Sequence, residues 1–202
     1  MTLWRGQSPL ILASQSRARQ TLLANAGIAF EAVPAEIDER EIQRRSGLAA
    51  PGDIAALLAR EKAVAVSRQR PGRLVVGADQ TLALGRELFS KPDGRAQARA
   101  QLSALAGGNH ELHSAVAVAR DGRIMFEAMA LARMTMRPLN SVQIDAYLDT
   151  AGEAVTGSVG GYQLEGPGVH LFEHIEGDHF TILGLPLLPL LAFLRSERLL
   201  AV

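Results

Sequence analysis

Residues 110–136, HELHSAVAVARDGRIMFEAMALARMTM, are two apolar-rich runs separated by Asp121–Gly122. Asp-Gly between such runs is a tight-turn dipeptide, so the stretch predicts a long antiparallel hairpin. A second, shorter hairpin is expected where RLVVGADQTLALG and ELFSKP flank Gly85–Arg86. Around the hairpins, strand and helix alternate. SPLILA (8–13) reads as a buried strand, residues 17–27 as a helix stopped by Gly27, and IAFEAVPA as the next strand. Helices are predicted over 53–70, after Pro-Gly, and over 94–108, which closes on two glycines. A short helix is expected at SVQIDAYLDT, a glycine-rich loop over 157–168, and a last helix around 187–196. Alternation with intruding hairpins predicts an α/β fold with a mixed rather than purely parallel sheet, flanked by helices.

The 202 residues, 48% hydrophobic, suffice for one substantial core, as a single domain over 1–202 or as two closely packed lobes. Basic and acidic residues balance at 21 each, so any anion site must be local, built by a few side chains. That balance and an aromatic content of 4% argue against extended contact with nucleic acid. Absence of cysteine excludes disulfides and thiol catalysis and fits a reducing compartment. MTLWRGQSPLILA is too short and interrupted for a signal peptide. TILGLPLLPLLAFLRSERLLAV, broken by two prolines and RSER, reads as a core helix rather than a membrane span. The expectation is a soluble, cytoplasmic protein without membrane partners.

Several stretches carry chemistry. In LILASQSRAR a strand empties into Ser14 and Ser16, with Arg17 and Arg19 following. One serine can cap the next helix, but two serines plus two arginines exceed what a cap needs and suit a phosphate at a helix start. The glycines and Gly-Lys-Ser/Thr ending of a P-loop are missing. In LVVGADQTLALG, strand alternation puts Val75, Gly77, Asp79, Thr81 and Ala83 on one face. A carboxylate in such a strand needs a partner or water. Either a buried Arg or backbone N–H holds it, or the small neighbours leave room for a metal-bound water or phosphate.

With a two-residue turn, Lys91 pairs with Gln80 on the face opposite Asp79; one bulge residue would swing it onto Asp79's face. Lys62 lies at the edge of its helix's apolar flank beside Glu61, where a local ion pair or snorkelling is the default. The run EIDERE, with Glu36, Asp38 and Glu39, is either a solvated turn or a magnesium site. The five histidines show no zinc spacing, and no nucleophile elbow is present. GSVGGYQLEGPG (157–168) is a connection, or a loop whose Tyr162, Gln163 and Glu165 read or stack on a base.

In order and spacing, LILASQSRAR, EIDE, LAREKA, VVGADQTL, SKP, LSALAGGNHELHSAVAV, GGYQLEGPG and GLPL resemble the Maf family of nucleoside triphosphate pyrophosphatases, from about Leu10 to Arg195. The resemblance implies a mixed-sheet fold around an NTP-binding cleft and hydrolysis of an NTP to NMP and pyrophosphate, a house-cleaning role in nucleotide metabolism. It also implies dependence on a divalent cation, Mg²⁺ with Mn²⁺ as substitute. By it, Asp79 is the base that activates water, and Ser14, Ser16, Arg19, Lys62 and Lys91 bind phosphate. Asp38, Glu39 and Asp79 are the implied metal ligands. Base choice falls on Ala18, Gln80 and Glu165. The branch associated with dTTP and UTP carries Pro-Arg-Arg after the second serine, Thr after the aspartate and Gln in the late loop. Here Arg17–Ala18–Arg19, Gln80 and Glu165 look more like the 7-methyl-GTP branch, which however carries Trp at the position of Ala18. A homodimer is the family's usual assembly. A non-enzymatic role in arresting septum formation, through protein binding, is the alternative the family brings.

Overall fold

The computed structural model describes residues 3–202; Met1 and Thr2, part of the N-terminal stretch and of the 1–202 domain discussed above, lie outside the described residues. The chain runs β1 (Leu10–Leu12), α1 (Arg17–Asn25), β2 (Phe30–Ala32), α2 (Glu39–Ser46) and α3 (Pro51–Gln69). It continues through β3 (Val75–Leu84), β4 (Glu87–Phe89), α4 (Arg95–Leu105), β5 (Asn109–Arg120) and β6 (Arg123–Met136). After α5 (Ser141–Ala151), 3-10 turns lead to β7 (Phe172–Glu176), α6 (His179–Ile182) and α7 (Leu187–Ser196).

Among the described residues the strands form one sheet in the order β2-β1-β3-β5-β6-β7, with β4 also paired to β3. β1 is parallel to β2 and β3, whereas β3–β4 and β6–β7 are antiparallel, so the sheet is mixed as the hairpins required. Asp121 and Gly122 both take positive φ (51° and 77°), the conformation a two-residue hairpin turn demands. No described helix is long and apolar enough to cross a membrane.

The chain divides into two compact units. The first holds residues up to Gln80, Ser114–Ala130 and His179–Val202; the second holds Thr81–His113 and Leu131–Asp178. In the first, Leu10, Leu12, Leu23, Val76, Val118 and Leu190, all fully buried, anchor a core that α7 joins with its apolar face. α3 packs through alanines: Ala55, Ala59 and Ala63 meet Ala115, Ala117 and Ala119. Such short side chains let helix and sheet approach closely. Gly77 on β3 takes this further, because a Cβ there would run into Ala59 O and lie 2.6 Å from Ala63 N. The expectation that this small residue leaves room beside Asp79 is therefore corrected: the backbone of α3 fills that room.

In the second unit, α4 and α5 are tied by Arg99, whose Nε and Nη2 donate to the two oxygens of Asp145 at 2.7 and 3.1 Å. The glycine-rich stretch is fastened rather than loose: Tyr147 donates to Gly161 O (3.2 Å), and Tyr162 OH lies 2.7 Å from His110 Nε2. His110 and Tyr162 are both buried. Burial pulls the His110 pKa down to about 4, so this imidazole is neutral at physiological pH.

Three elements depart from the sequence reading. α6 and β7 were not expected, and α2 stands where a solvated acidic turn was one reading. α2 buries no residue, so it has no apolar stripe to betray it. Its ends hold it instead. Asp38 caps it through Oδ1 to Glu41 N (3.0 Å), Glu39 and Glu41 lie in the first turn, Arg44 and Arg45 in the last, and Gly47 closes it with φ 66°.

Candidate active site

The close approach of α3 to β3 sets Lys62, the neighbour of Ala63, against Asp79. Lys62 Nζ lies 2.6 Å from Asp79 Oδ1 and 2.9 Å from Glu39 Oε1, and both the ammonium and the Asp79 carboxylate are about nine-tenths buried (side chains 11% exposed each). Glu61, the neighbour expected to pair with Lys62 by default, is exposed, and the lysine spans instead from α3 to the first residue of α2 and the middle of β3. Asp79 Oδ2 has no protein donor among the described residues. Burial raises the Asp79 pKa above the usual 3.8; the Lys62 and Arg19 charges and the Lys62 hydrogen bond oppose this, while Glu39 adds to the rise.

Arg19, in the first turn of α1, is buried. Its Nε donates to Gly184 O (2.7 Å), and its Nη1 donates to Ala78 O (2.8 Å) and Ser14 Oγ (3.2 Å). Only Nη2 is left without a hydrogen-bond partner among the described residues. Burial lowers the guanidinium's pKa, and Asp79 and then Glu39 push it back up. Ser16 is the N-cap of α1, accepting from Arg19 N at 3.5 Å, and Ser14 Oγ accepts from Ser16 N at 3.2 Å. Both hydroxyls thus accept locally, and each keeps an O–H to donate. Ala18 is half-buried in the first turn of α1.

The structure therefore brings together Ser14, Ser16, Arg19, Lys62, Asp79 and Glu39. It does not draw in Asp38, whose exposed carboxylate is used in the cap of α2. Among the described residues no three His, Asp or Glu side chains gather as a metal set, so the expected triple of Asp38, Glu39 and Asp79 does not assemble. Glu39 and Asp79 do converge on one point, the Lys62 ammonium. Two carboxylates that share one cationic partner are hard oxygen donors of the kind a divalent cation takes together with substrate phosphate.

Gln80 is tied to the protein through its amide nitrogen. Its Nε2 lies 2.9 Å from Ser114 Oγ and 3.0 Å from each of Thr181 O and Ile182 O. Two amide hydrogens facing three acceptors take up the donors, while Oε1 has no hydrogen-bond partner among the described residues and keeps its capacity to accept. Ser114 and Thr181, both fully buried, were missed by sequence reasoning. The signal available was a hydroxyl inside the buried run SAVAVA.

Lys91 and Glu165 belong to the second unit. The β3–β4 ladder keeps the unshifted register of a two-residue turn (Leu84 with Glu87, Leu82 with Phe89) but ends there, and Lys91 is exposed beyond it, outside any strand. Glu165 is exposed; its charge helps raise the Tyr147 pKa to about 12, after burial as the main cause.

Removing the ammonium from this cluster has a calculable cost. Lys62→Met is expected to destabilise the protein by about 3 kcal/mol at neutral pH, because it leaves a buried carboxylate without its cation. The loss shrinks as acid protonates Asp79, which then needs no counter-charge. Urea denaturation at neutral and mildly acidic pH checks this, and an equal loss at both would contradict it.

Fold and site together define a mixed α/β protein built around a buried carboxylate–ammonium pair at the meeting of α3 and β3. The chain belongs to the Maf-like protein family, whose match runs over residues 9–197. A protein of Bradyrhizobium diazoefficiens named nucleoside triphosphate pyrophosphatase is 70% identical over the whole of both chains. One of the same name from Rhodopseudomonas palustris is 68% identical, again over the whole of both. A Brucella abortus protein named 7-methyl-GTP pyrophosphatase is 50% identical, covering 94% of this chain and 96% of its own.

Proposed function

We propose that this chain is a nucleoside triphosphate pyrophosphatase, a hydrolase that splits a nucleoside triphosphate into the monophosphate and pyrophosphate, with Asp79 as the general base. The observation that carries the reading is the Asp79 carboxylate itself. One oxygen is held by Lys62 at 2.6 Å, the other is unclaimed, and burial lifts its pKa toward that of a useful base. Oδ2 accepts a proton from water aimed at the α-phosphorus. Lys62 fixes the carboxylate, and with Arg19 Nη2 and the hydroxyls of Ser14 and Ser16 it supplies donors to phosphate oxygens. Lys91 is the further phosphate ligand the reading requires.

In this cluster Lys62 and Arg19 are balanced by Asp79 and Glu39, so a polyphosphate meets no surplus of positive charge. A divalent cation, Mg²⁺ with Mn²⁺ as substitute, fits that deficit. Glu39 and Asp79 would hold it, and when bound it would neutralise charge on the leaving pyrophosphate. The reading places the protein in the cytoplasm, as a homodimer; sedimentation of the purified chain tests the latter.

A second reading, preference for 7-methyl-GTP, is favoured by the name of the Brucella relative and by Gln80 and Glu165. Both are tested by one nucleotide panel with Mg²⁺ (7-methyl-GTP, dTTP, UTP and ordinary NTPs), separating pyrophosphate from orthophosphate. Pyrophosphate with equimolar monophosphate is expected. Orthophosphate alone would contradict the activity, and a flat profile would contradict the base preference.

A further inference from the structure

Away from the Asp79 cluster, five arginines gather elsewhere in the first unit. Arg68, Arg70 and Arg73 lie where α3 runs into β3, and Arg120 and Arg123 flank the β5–β6 turn. Hydrogen bonds lock the two stretches together: Gly72 N donates to Asp121 Oδ1 at 2.7 Å, and Gly122 N to Ser67 Oγ at 3.0 Å. The chain as a whole is neutral, so this concentration of charge is local. Two of the five, Arg73 and Arg120, line a cavity of about 270 Å³ together with Trp4, Gln7, Ser8 and Leu199. It lies at the entry to β1, beside Pro9, whereas Ser14 follows the exit of that strand, roughly 16 Å on at 3.3 Å per residue. The walls are fixed by backbone bonds. Arg5 N donates to Leu199 O and Ala201 N to Leu3 O, both at 2.9 Å, and the Trp4 indole donates to Ser8 O at 3.1 Å.

The arginines here carry more donors than the protein answers. Arg73 spends Nη2 on Pro9 O (2.8 Å) and Glu31 Oε1 (3.0 Å), which leaves its Nε and Nη1 without a partner among the described residues. Arg120, half-buried at the end of β5, has no hydrogen bond or ion pair among the described residues. The Nε of each is closed off from solvent, where an unbonded N–H is destabilising. The nearby acids do not serve Arg120: Glu31 is paired with Arg73, and Asp121 accepts from Gly72 N. We propose that this cavity is a second anion site, which takes a small phosphate-bearing anion (orthophosphate or pyrophosphate) between the Arg73 and Arg120 guanidiniums. Two planar guanidiniums suit one tetrahedral oxyanion. The volume falls just under the roughly 300–1,000 Å³ of pockets for drug-sized ligands, which fits an ion of one or two phosphoryl groups. A bound anion joins the N-terminal loop to the start of β3 and the end of β5. The site is independent of the pyrophosphatase reading.

Trp4 is the sole tryptophan of the chain and lines this cavity, so its fluorescence reports on the site directly. Wild type is titrated with orthophosphate and with pyrophosphate, at constant ionic strength and without divalent metal, following Trp4 emission and the Arg120 Nε–H resonance. Saturable changes in both are expected, with a Kd of about 1 mM or tighter for at least one of the two anions. Arg120→Gln removes the charge without breaking a bond within the protein, so its unfolding midpoint should match wild type while its affinity falls at least about tenfold. Arg120→Lys keeps the charge but loses the planar fork, and falls between the two. Anion held only at the Asp79 cluster would leave the Arg120 resonance unmoved, and that result overturns the proposal. So does the lack of a saturable Trp4 response up to about 10 mM of either anion. Acetate binding as well as phosphate does would remove the preference for a tetrahedral oxyanion and sink it too. Equal weakening by Arg123→Gln would show diffuse attraction to the arginine patch in place of a site. Should Arg120→Gln fail to fold, Arg120→Lys and the wild-type resonances decide.

Discussion

Asn in place of Asp79 is expected to slow pyrophosphate release by about a thousandfold while leaving the fold intact. The side chains are nearly the same size, and the Asn carbonyl can still accept from Lys62. What disappears is the basic oxygen opposite, which becomes an N–H or loses its charge. The stability of the variant carries an independent signature. Because burial raises the Asp79 pKa above 3.8, the folded state holds that proton more tightly than the unfolded chain does. The stability this proton linkage supplies is complete below 3.8, and it drains away as pH rises through the higher folded value. Wild type should therefore lose stability relative to Asp79→Asn between strongly acidic and neutral pH. Urea denaturation of both proteins across that range measures it, and a difference growing in wild type's favour would mean that the carboxylate is stabilised by its cations more than it is penalised by burial.

Gly77→Ala should be among the most damaging single-methyl additions in the chain. The new Cβ would meet backbone on α3 (Ala59 O, and Ala63 N at 2.6 Å) and the Ala63 methyl at 3.0 Å, so no side chain can swing aside. Strand or helix must move, at about 3 kcal/mol, the upper part of the usual overpacking range. The movement separates the element carrying Lys62 from the one carrying Asp79, whose contact is 2.6 Å. Displacement of that kind lowers kcat by about a hundredfold even without touching a reacting group. Denaturation midpoints and steady-state kinetics on the same preparation check both effects. Normal activity together with normal stability would show that α3 does not seat against Gly77 as described.

The strands and helices that were legible in the sequence are those with a tertiary job. The Asp121–Gly122 and Gly85–Arg86 turns, the apolar helix over 53–70 and the final helix over 187–196 all announce burial or a required φ, and each appears within a few residues of its expected place. α2 did not, because it buries nothing; its evidence was confined to Asp38, the acidic first turn and Gly47, which a solvated turn explains equally well. Asp79 was legible as a carboxylate in an apolar strand. Gly77 misled for a physical reason: a missing side chain makes room that either a ligand or another backbone can use. The alanines at 59 and 63, four apart on one helix face, were the sign that a backbone would take it. Lys62 looked like a snorkelling lysine because its two partners are distant in sequence. The bonds of the Gln80 amide nitrogen were not legible because nothing in the sequence ties position 80 to 114 or 181.

The central claim is that Asp79 drives water onto the α-phosphorus. Turnover in heavy-oxygen water, with products resolved by mass, tests it most directly when run on wild type and Asp79→Asn together. One solvent oxygen per turnover should appear in the nucleoside monophosphate and none in pyrophosphate, at a rate that collapses in the variant. Label in the pyrophosphate or in orthophosphate, or label entering the monophosphate at the same rate without the carboxylate, would contradict the account.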